Sequence, residues 1–390
     1  MVIAEQTTTT TTIEANVLSK GQIETFLHDG VLVVENILTT DEVDDAMQAF
    51  HNTLASQGVD AAHLAQTGHG LTKLSSTNGS GGVLDVFYDA WKLKIATHRK
   101  LFRATQQLWE AGYYCYGEND ENDAEASIHP EEDFKWHPYG SFDCRKGYCY
   151  IDRVCFRIPT KLAKELGTAD HNGEQTTLKS TNKKSPPIQR SLTPHLDCCP
   201  DNLFHNKTKW RPIQCFVSLT DNQLPNTGGF EAAKGFHRTF HAWAAHRPPT
   251  IVAKKAANGE TVVSSIPAPC VGEYTHIRPK EDQDVMKRVA HIPVAAGSAV
   301  FWDNRIPHAN AYRHDGDTPR CVVYCSFLPD IAINRQYVSQ QLEKWRNGLP
   351  PTDQWIQPRK SAEQEVSDEF EKQIESFDLL QRRLLGLESW

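Results

Sequence analysis

Residues 191–199 read SLTPHLDCC, and the unit His195-Leu196-Asp197 inside them decides how the rest of the chain is read. The run 191–197 reads as a strand, and on a strand residues two apart point to the same face. His195 and Asp197 therefore present an imidazole and a carboxylate to one point in space. A third donor lies far downstream in FWDNRIPH (301–308), where His308 follows a strand and a turn containing Pro307. Two histidines and one carboxylate on one face leave coordination positions open, the arrangement suited to non-haem iron(II) and O₂ chemistry.

Working outward, short strands are expected at 191–197, 211–219, 228–233, 289–294, 298–303 and 320–327, most of them separated by Gly, Pro or Asn turns. Cys149 to Pro159 alternates apolar and polar residues and reads as a further strand. Strands at this frequency without intervening helical patterns point to an antiparallel sandwich or barrel. Arg320 opens the last of them, where a guanidinium can offer its planar fork to the carboxylate of a diacid co-substrate. Arg313 is the rival for that role, in the loop AYRHDG, where a solvated arginine is expected.

Ahead of the strands, Ser19 is placed to cap a short helix carrying Ile23 and Phe26, and Val31 to Glu35 is a β-branched run. Thr39 with Glu42 forms a capping box for a second helix. Residues 66–82 (QTGHGLTKLSSTNGSGG) read as a Gly/Ser/Thr-rich loop, 84–116 as helical, and 164–190 as a mobile surface insertion. Beyond Pro329 the spacing of Val366, Phe370, Ile374, Phe377 and Leu384 gives a helical packing stripe. The expected organisation is a tail at 1–12, one domain over 13–330 with its β core at about 148–328, and a helical extension over 331–390.

Composition limits the partners. With 41 Lys+Arg against 49 Asp+Glu, the net charge is −8, which offers no broad phosphate-binding face for nucleic acid. No apolar run approaches the ~20 residues of a membrane span. The N-terminal stretch MVIAEQTTTTTT carries neither the basic nor the apolar region of a secretory signal, so a cytoplasmic protein is expected. Ten cysteines without paired CxxC spacing read as reduced, mostly buried thiols, Cys198 and Cys199 among them as packing residues beside the His-Asp unit.

Three separated pieces of the chain resemble the phytanoyl-CoA dioxygenase-like family of iron(II)/2-oxoglutarate-dependent oxygenases. They are LSKGQIETFLHDGVLVVENILTTDEVDDAM, then TPHLDCCPDN with RPIQCFVSLTDNQLPNTGGFEAAKGFHRTF, and VAAGSAVFWDNRIPHANAYRHDGDTPRCVVYCSF. The resemblance implies a mainly β chain with flanking helices, built on a double-stranded β-helix, or jelly-roll, cupin-like core. It implies His195, Asp197 and His308 as iron ligands and catalytic centre, Arg320 as the 2-oxoglutarate clamp, and Asn310 as a small polar group near the same carboxylate. Gln214 or Phe216 is expected to line the co-substrate pocket. The family's PGSH segment is Lys234-Gly235-Phe236-His237 here, so His237 receives no binding role. The insertion 164–190 and the long segment 246–288 exceed a minimal member and leave the substrate open.

The activity so implied is oxidation of a C–H bond in a soluble small molecule, hydroxylation first, with 2-oxoglutarate and O₂ consumed and succinate and CO₂ released. Desaturation or oxidative ring closure of the kainoid type is an alternative outcome of the same chemistry. A non-redox cupin-like isomerase or binding protein is a second alternative. Retention of Asp197 argues against halogenation. Tyr139, Phe142, Trp136 and Trp302 are candidate pocket aromatics, and core packing would also explain each.

Overall fold

The computed structural model describes residues 16–113, 115–116, 135–168, 187–200, 203–204, 207–247, 250–255, 261–266, 274–311, 313–351 and 367–390. The expected tail 1–12 and most of the insertion 164–190 lie outside them, as does Val366 of the expected stripe.

Two antiparallel sheets carry the fold. In the larger, Val31–Val34, Ala299–Asp303, Ile213–Ser218, Arg320–Pro329, Val154–Arg157 and Val83–Leu84 lie in that order, and Gly147–Cys149 also pairs with the long Arg320–Pro329 strand. In the smaller, the order is Thr275–His276, Leu192–Leu196, His308–Asn310, Phe230–Ala233, Val289–His291. Cys149 to Pro159 thus gives two short strands on one long partner, not a single strand.

The strand alternation sorts the larger sheet into two faces. Cys215, Val217, Phe301, Val323 and Cys325 face a cluster completed by Phe50, Leu93, Leu101 and Trp109 from helices. Phe216, Val300, Trp302 and Val322 belong to the other cluster, where Phe216 and Trp302 meet Phe230 of the smaller sheet at ring separations of 5.4 and 4.9 Å.

The helices form where their caps place them. Ser19 and Gln22 close a capping box on Lys20–Asp29, and Thr39 and Glu42 close another on Thr40–Ser56. Ala90–Ala96 and Arg99–Gly112 follow, and Ala332–Arg346, Ser367–Glu375 and Leu379–Leu384 complete the helical layer. A mainly β chain was the expectation; the chain is instead a mixture of helix and antiparallel sheet. The difference arises because the large sheet has two apolar faces, and the second must be covered by helices rather than by water.

Two local readings also change. The stretch 66–82 is a loop only in its second half, since Gly68–Leu74 winds into a 3₁₀ turn. The segment 246–288 contains an antiparallel pair, Thr250–Lys255 with Thr261–Ile266, and the strand Thr275–His276. β-branched residues in TIVAKK and TVVSSI carry that signal. Among the described residues, Cys149, Cys155, Cys198, Cys215, Cys321 and Cys325 are free, buried thiols, but Cys199 is disulfide-bonded and so departs from the reduced expectation: it is cross-linked, not a simple packing thiol. Among the described residues, no helix is long and apolar enough to cross a membrane.

The C-terminal helices share the main core. Trp345 stacks on Tyr88 at 5.7 Å and meets Phe370 edge-on at 5.0 Å, and Phe377 and Leu384 join the same cluster. Replacing Trp345 by Ala should lower the unfolding free energy by about 3–5 kcal/mol, the cost of emptying a large aromatic site. Urea unfolding followed by circular dichroism measures this, and an unmoved midpoint would mean the C-terminal helices add little to the core.

Candidate metal and anion site

The smaller sheet brings the first two donors together. His308 lies directly opposite His195 on adjacent antiparallel strands, and their rings are 4.5 Å apart. Asp197 sits one residue past the end of the Leu192–Leu196 strand, which lets its carboxylate turn toward both rings. His195 Nε2 lies 3.6 Å from Asp197 Oδ1, and His308 Nε2 lies 3.7 Å from Asp197 Oδ2. One donor atom from each of the three residues falls within 4.8 Å of the other two.

The tautomers are set by the backbone. His195 Nδ1 is 2.8 Å from the Thr193 carbonyl and His308 Nδ1 is 2.9 Å from the Ile306 carbonyl. A carbonyl only accepts, so each Nδ1 carries a proton, and each Nε2 is the ring nitrogen turned toward Asp197. Burial, reinforced by the His195 imidazole, holds His308 down to about 4, so its ring is neutral near neutral pH. Burial alone would raise the Asp197 carboxyl. The neighbouring His195 and His308 rings, the Arg211 guanidinium and the Gln214 hydrogen bond outweigh burial and hold it well below the usual carboxylate range. A neutral His308 ring, an ionised Asp197 carboxylate and the Nε2 of His195 form a donor set that could hold a divalent cation.

Of the other expected residues, Gln214 and Asn310 line the same cavity, which has a volume of about 440 Å³, and Phe216 and Arg320 do not. Gln214 donates from Nε2 to Asp197 Oδ2 at 2.9 Å. Asn310 lines the cavity, accepts from Arg320 Nη1 at 2.9 Å and donates to the Tyr324 hydroxyl at 3.0 Å. Arg320 is 2% exposed and lies behind that pair, its guanidinium 5.2 Å from the Phe216 ring centre. Its Nη2 has no hydrogen-bond partner among the described residues. Arg313 is on the surface, paired with Asp315. His237 is buried elsewhere, against the Leu27 carbonyl.

The pocket aromatics divide. Trp302 lines the cavity, with its ring 5.1 Å from that of His308. Tyr139 and Phe142 instead pack on Trp210, and Trp136 packs on Phe204. Those three are corrected to packing residues, because the strand-borne Trp302 faces the space between the sheets while the others sit in an aromatic cluster outside the cavity.

Several site residues escaped the sequence reading. Tyr274 stacks on His195 at 4.6 Å, and Arg211 Nη2 lies 3.7 Å from Asp197 Oδ2. Tyr324 shares a face with Arg320, four residues along one strand, a period that was readable in advance. The Gly-rich loop also reaches the site: the Gly81 carbonyl accepts from Asn310 Nδ2 at 3.2 Å. A Cβ at Gly81 would stand 3.0 Å from that nitrogen, and φ is +63° there, so glycine is required.

The turn before His308 is fixed by a buried ion pair. Arg305 donates to both oxygens of Asp303 at 2.7 and 2.6 Å, and the Tyr113 hydroxyl donates to Oδ2 at 2.5 Å.

A family model described as Gig2-like matches residues 208–382. No curated protein matches the chain. Among solved structures, the chain is similar to GlcNAc Inducible Gene 2, GIG2 (DUF1479), from Candida albicans, with 15% identity, a TM-score of 0.64, and coverage of 97% of this chain and 78% of that one. It is also similar to the protein JW0805 from Escherichia coli, with 12% identity, a TM-score of 0.61, and coverage of 95% and 82%. A protein from Salmonella typhimurium LT2, provisionally named an oxidoreductase, gives 13% identity, a TM-score of 0.59, and coverage of 95% and 83%. These likenesses establish the shared fold. The family match is Gig2-like, and it replaces the phytanoyl-CoA dioxygenase-like resemblance. The motifs behind that resemblance gather His195, Asp197 and His308, a group that could hold a metal ion.

Two outcomes are expected here. His195→Ala, Asp197→Ala and His308→Ala should each weaken Mn(II) binding by at least about 100-fold, beyond the cost of losing an outer partner. Calorimetric titration of the folded variants decides it, and wild-type affinity in any one removes that residue from the site. The second concerns Asp303, whose burial would raise its carboxyl but whose Arg305 pair holds it at about 2, against an ordinary 3.8. A depressed carboxyl gives stability that is full above about pH 4 and is lost as pH falls toward 2, here about 2 kcal/mol. Asp303→Asn should flatten that limb of the stability–pH curve, measured by denaturant unfolding at several pH values.

Proposed function

We propose that the chain is an iron(II)/2-oxoglutarate-dependent oxygenase that oxidises a C–H bond of a soluble small molecule, with its two sheets forming a double-stranded β-helix around the site. The observation that carries this reading is Arg320: a buried guanidinium with an unfilled donor, close to a cluster of three metal donors. A buried cation lacking an anionic partner is costly, and a diacid held at one end by the metal brings the missing carboxylate.

The residues fit the cofactor. His195, Asp197 and His308 would hold iron(II), and Arg320, oriented by the Asn310 carbonyl, would hold the distal carboxylate of 2-oxoglutarate. Bound there, iron(II) with 2-oxoglutarate and O₂ supplies the oxidising power for attack on an unactivated C–H bond, and succinate and CO₂ are released. The chain's own groups do the positioning. The Thr193 and Ile306 carbonyls orient the two imidazoles, Gln214 orients the Asp197 carboxylate, and Phe216, Phe230 and Trp302 exclude bulk water from the floor of the cavity. Hydroxylation is the outcome proposed first, since it requires no further device than a substrate held beside the metal.

Arg320→Ala should raise the dissociation constant for 2-oxoglutarate roughly 30-fold to several-thousand-fold, the loss expected from a desolvated charge pair. Metal binding should persist. Arg320→Lys should recover part of the loss, because an ammonium cannot reproduce the planar fork. Arg313→Ala should bind 2-oxoglutarate like the wild type. Calorimetry with Mn(II)-loaded protein reads all three, and an Arg320→Ala variant with unchanged affinity would remove 2-oxoglutarate from the proposal.

A further inference from the structure

Two polar atoms beside His195, Asp197 and His308 have no hydrogen-bond partner among the described residues. Gln214 is 1% exposed and Trp302 is 3% exposed, and they are cross-strand partners in the larger sheet. Both line the cavity with His195, Asp197 and His308. Gln214 gives its amide N–H to Asp197, and its Oε1 has no partner among the described residues. The amide cannot be turned over, because a carbonyl facing the Asp197 carboxylate would set two acceptors against each other. Trp302 Nε1–H, a donor only, has no partner either. A buried unfilled donor or acceptor is destabilising, so two of opposite kind on cross-strand partners suit one group that both accepts and donates.

We propose that Gln214 and Trp302 form the substrate-recognition pair, and that the substrate presents a hydroxyl or primary amide group to them beside the metal. The proposal rests on the oxygenase reading and adds the substrate class. A hydroxyl accepts from the Trp302 indole and donates to the Gln214 carbonyl with a single oxygen, and a primary amide does so with two adjacent atoms. The rim of the cavity agrees in character: Thr77, Asn78, Ser80 and Arg190 line it. A hydrocarbon substrate would bury both atoms unpaired. A site built to bond a polar group discriminates strongly against the analogue that lacks it.

The test uses the full chain loaded with Zn(II) and 2-oxoglutarate and a fragment library in two matched halves. One half carries hydroxyl or primary amide groups, and the other carries the same skeletons without them. Saturation-transfer NMR scores fragments that bind only when metal and 2-oxoglutarate are present. Hits should come from the first half, and Trp302→Phe, which keeps a ring and removes the N–H, should weaken them about three- to tenfold. As a readout independent of that variant, the Trp302 indole N–H resonance should move when a hydroxylated hit is added and stay still with its deoxygenated match. Hits divided evenly between the halves, or none from the first half, would overturn the proposal. So would a Trp302→Phe variant that loses affinity for 2-oxoglutarate and not for fragments, since the indole would then serve the co-substrate. Those results leave the oxygenase reading standing if metal and 2-oxoglutarate still bind, whereas failure of both to bind wild type removes that reading and this one together.

Discussion

The register that sets His308 opposite His195 is the constraint on which the site depends. Side chains alternate strictly along a strand, so a slip of one residue would send His308 away from His195 and bring Pro307 or Ala309 in its place. Three devices hold that register. The Asp303–Arg305 pair fixes the turn before His308, and Ala232 pairs with His308 from the other side. An irregularity in the pairing then carries the chain from His308 opposite His195 to Asn310 opposite Leu192. That bulge is where the sheet passes from metal donors to the polar group that meets Arg320. Bulges commonly re-aim side chains next to functional sites.

The interior between the sheets is apolar at Phe216, Phe230 and Trp302 and polar where His195, Asp197, His308 and Arg320 meet it. Those two characters are in tension. An apolar wall strengthens every charge interaction inside it, and it also makes an unmatched charge expensive. Arg320 shows the balance: the Phe216 ring and neutral Asn310 and Cys155 are its neighbours, and none supplies a negative charge. The aromatic face compensates a guanidinium only in part. A cavity arranged this way favours an anion at the Arg320 end and a cation at the histidine end.

Much of the site was legible because its residues sit on strands, where period two and a short turn place side chains without knowledge of the whole. His195, Asp197, His308 and Arg320 follow from reading strands and turns, and Asn310 and Gln214 from the family resemblance; the structure brings His195, Asp197 and His308 together, with Gln214 and Asn310 lining the same cavity. What escaped came from loops and from distant segments. Tyr274 reaches His195 only because Thr275–His276 pairs with the His195 strand across some eighty residues, and no local pattern announces such a pairing. Gly81 reads only as part of a Gly/Ser/Thr-rich loop, since composition signals loops without saying what they touch. The balance of helix and sheet was misjudged for a similar reason. Strand-forming residues at 211–219 and 320–327 gave no sign that both of their faces would be buried, one of them under helices.

The Gly-rich loop, more than its composition suggested, ties the helical layer to the chemistry. It enters from the 3₁₀ turn Gly68–Leu74, and Gly82 sits against the Val154–Arg157 strand so closely that a Cβ there would lie 2.8 Å from Arg157 Cα. From that anchor the Gly81 carbonyl meets Asn310 on one side and the Cys155 thiol on the other. Asn310 in turn bonds Arg320 and Tyr324. A carbonyl held in place by two positive-φ glycines can neither retreat nor rotate without breaking the loop's contact with the sheet. The amide of Asn310 is thereby oriented with its oxygen toward Arg320 and its nitrogen toward Gly81 and Tyr324. The side chain that meets the buried guanidinium is thus fixed from a segment more than two hundred residues away in sequence, which is why the polar end of the cavity is as well defined as the strand-borne metal donors.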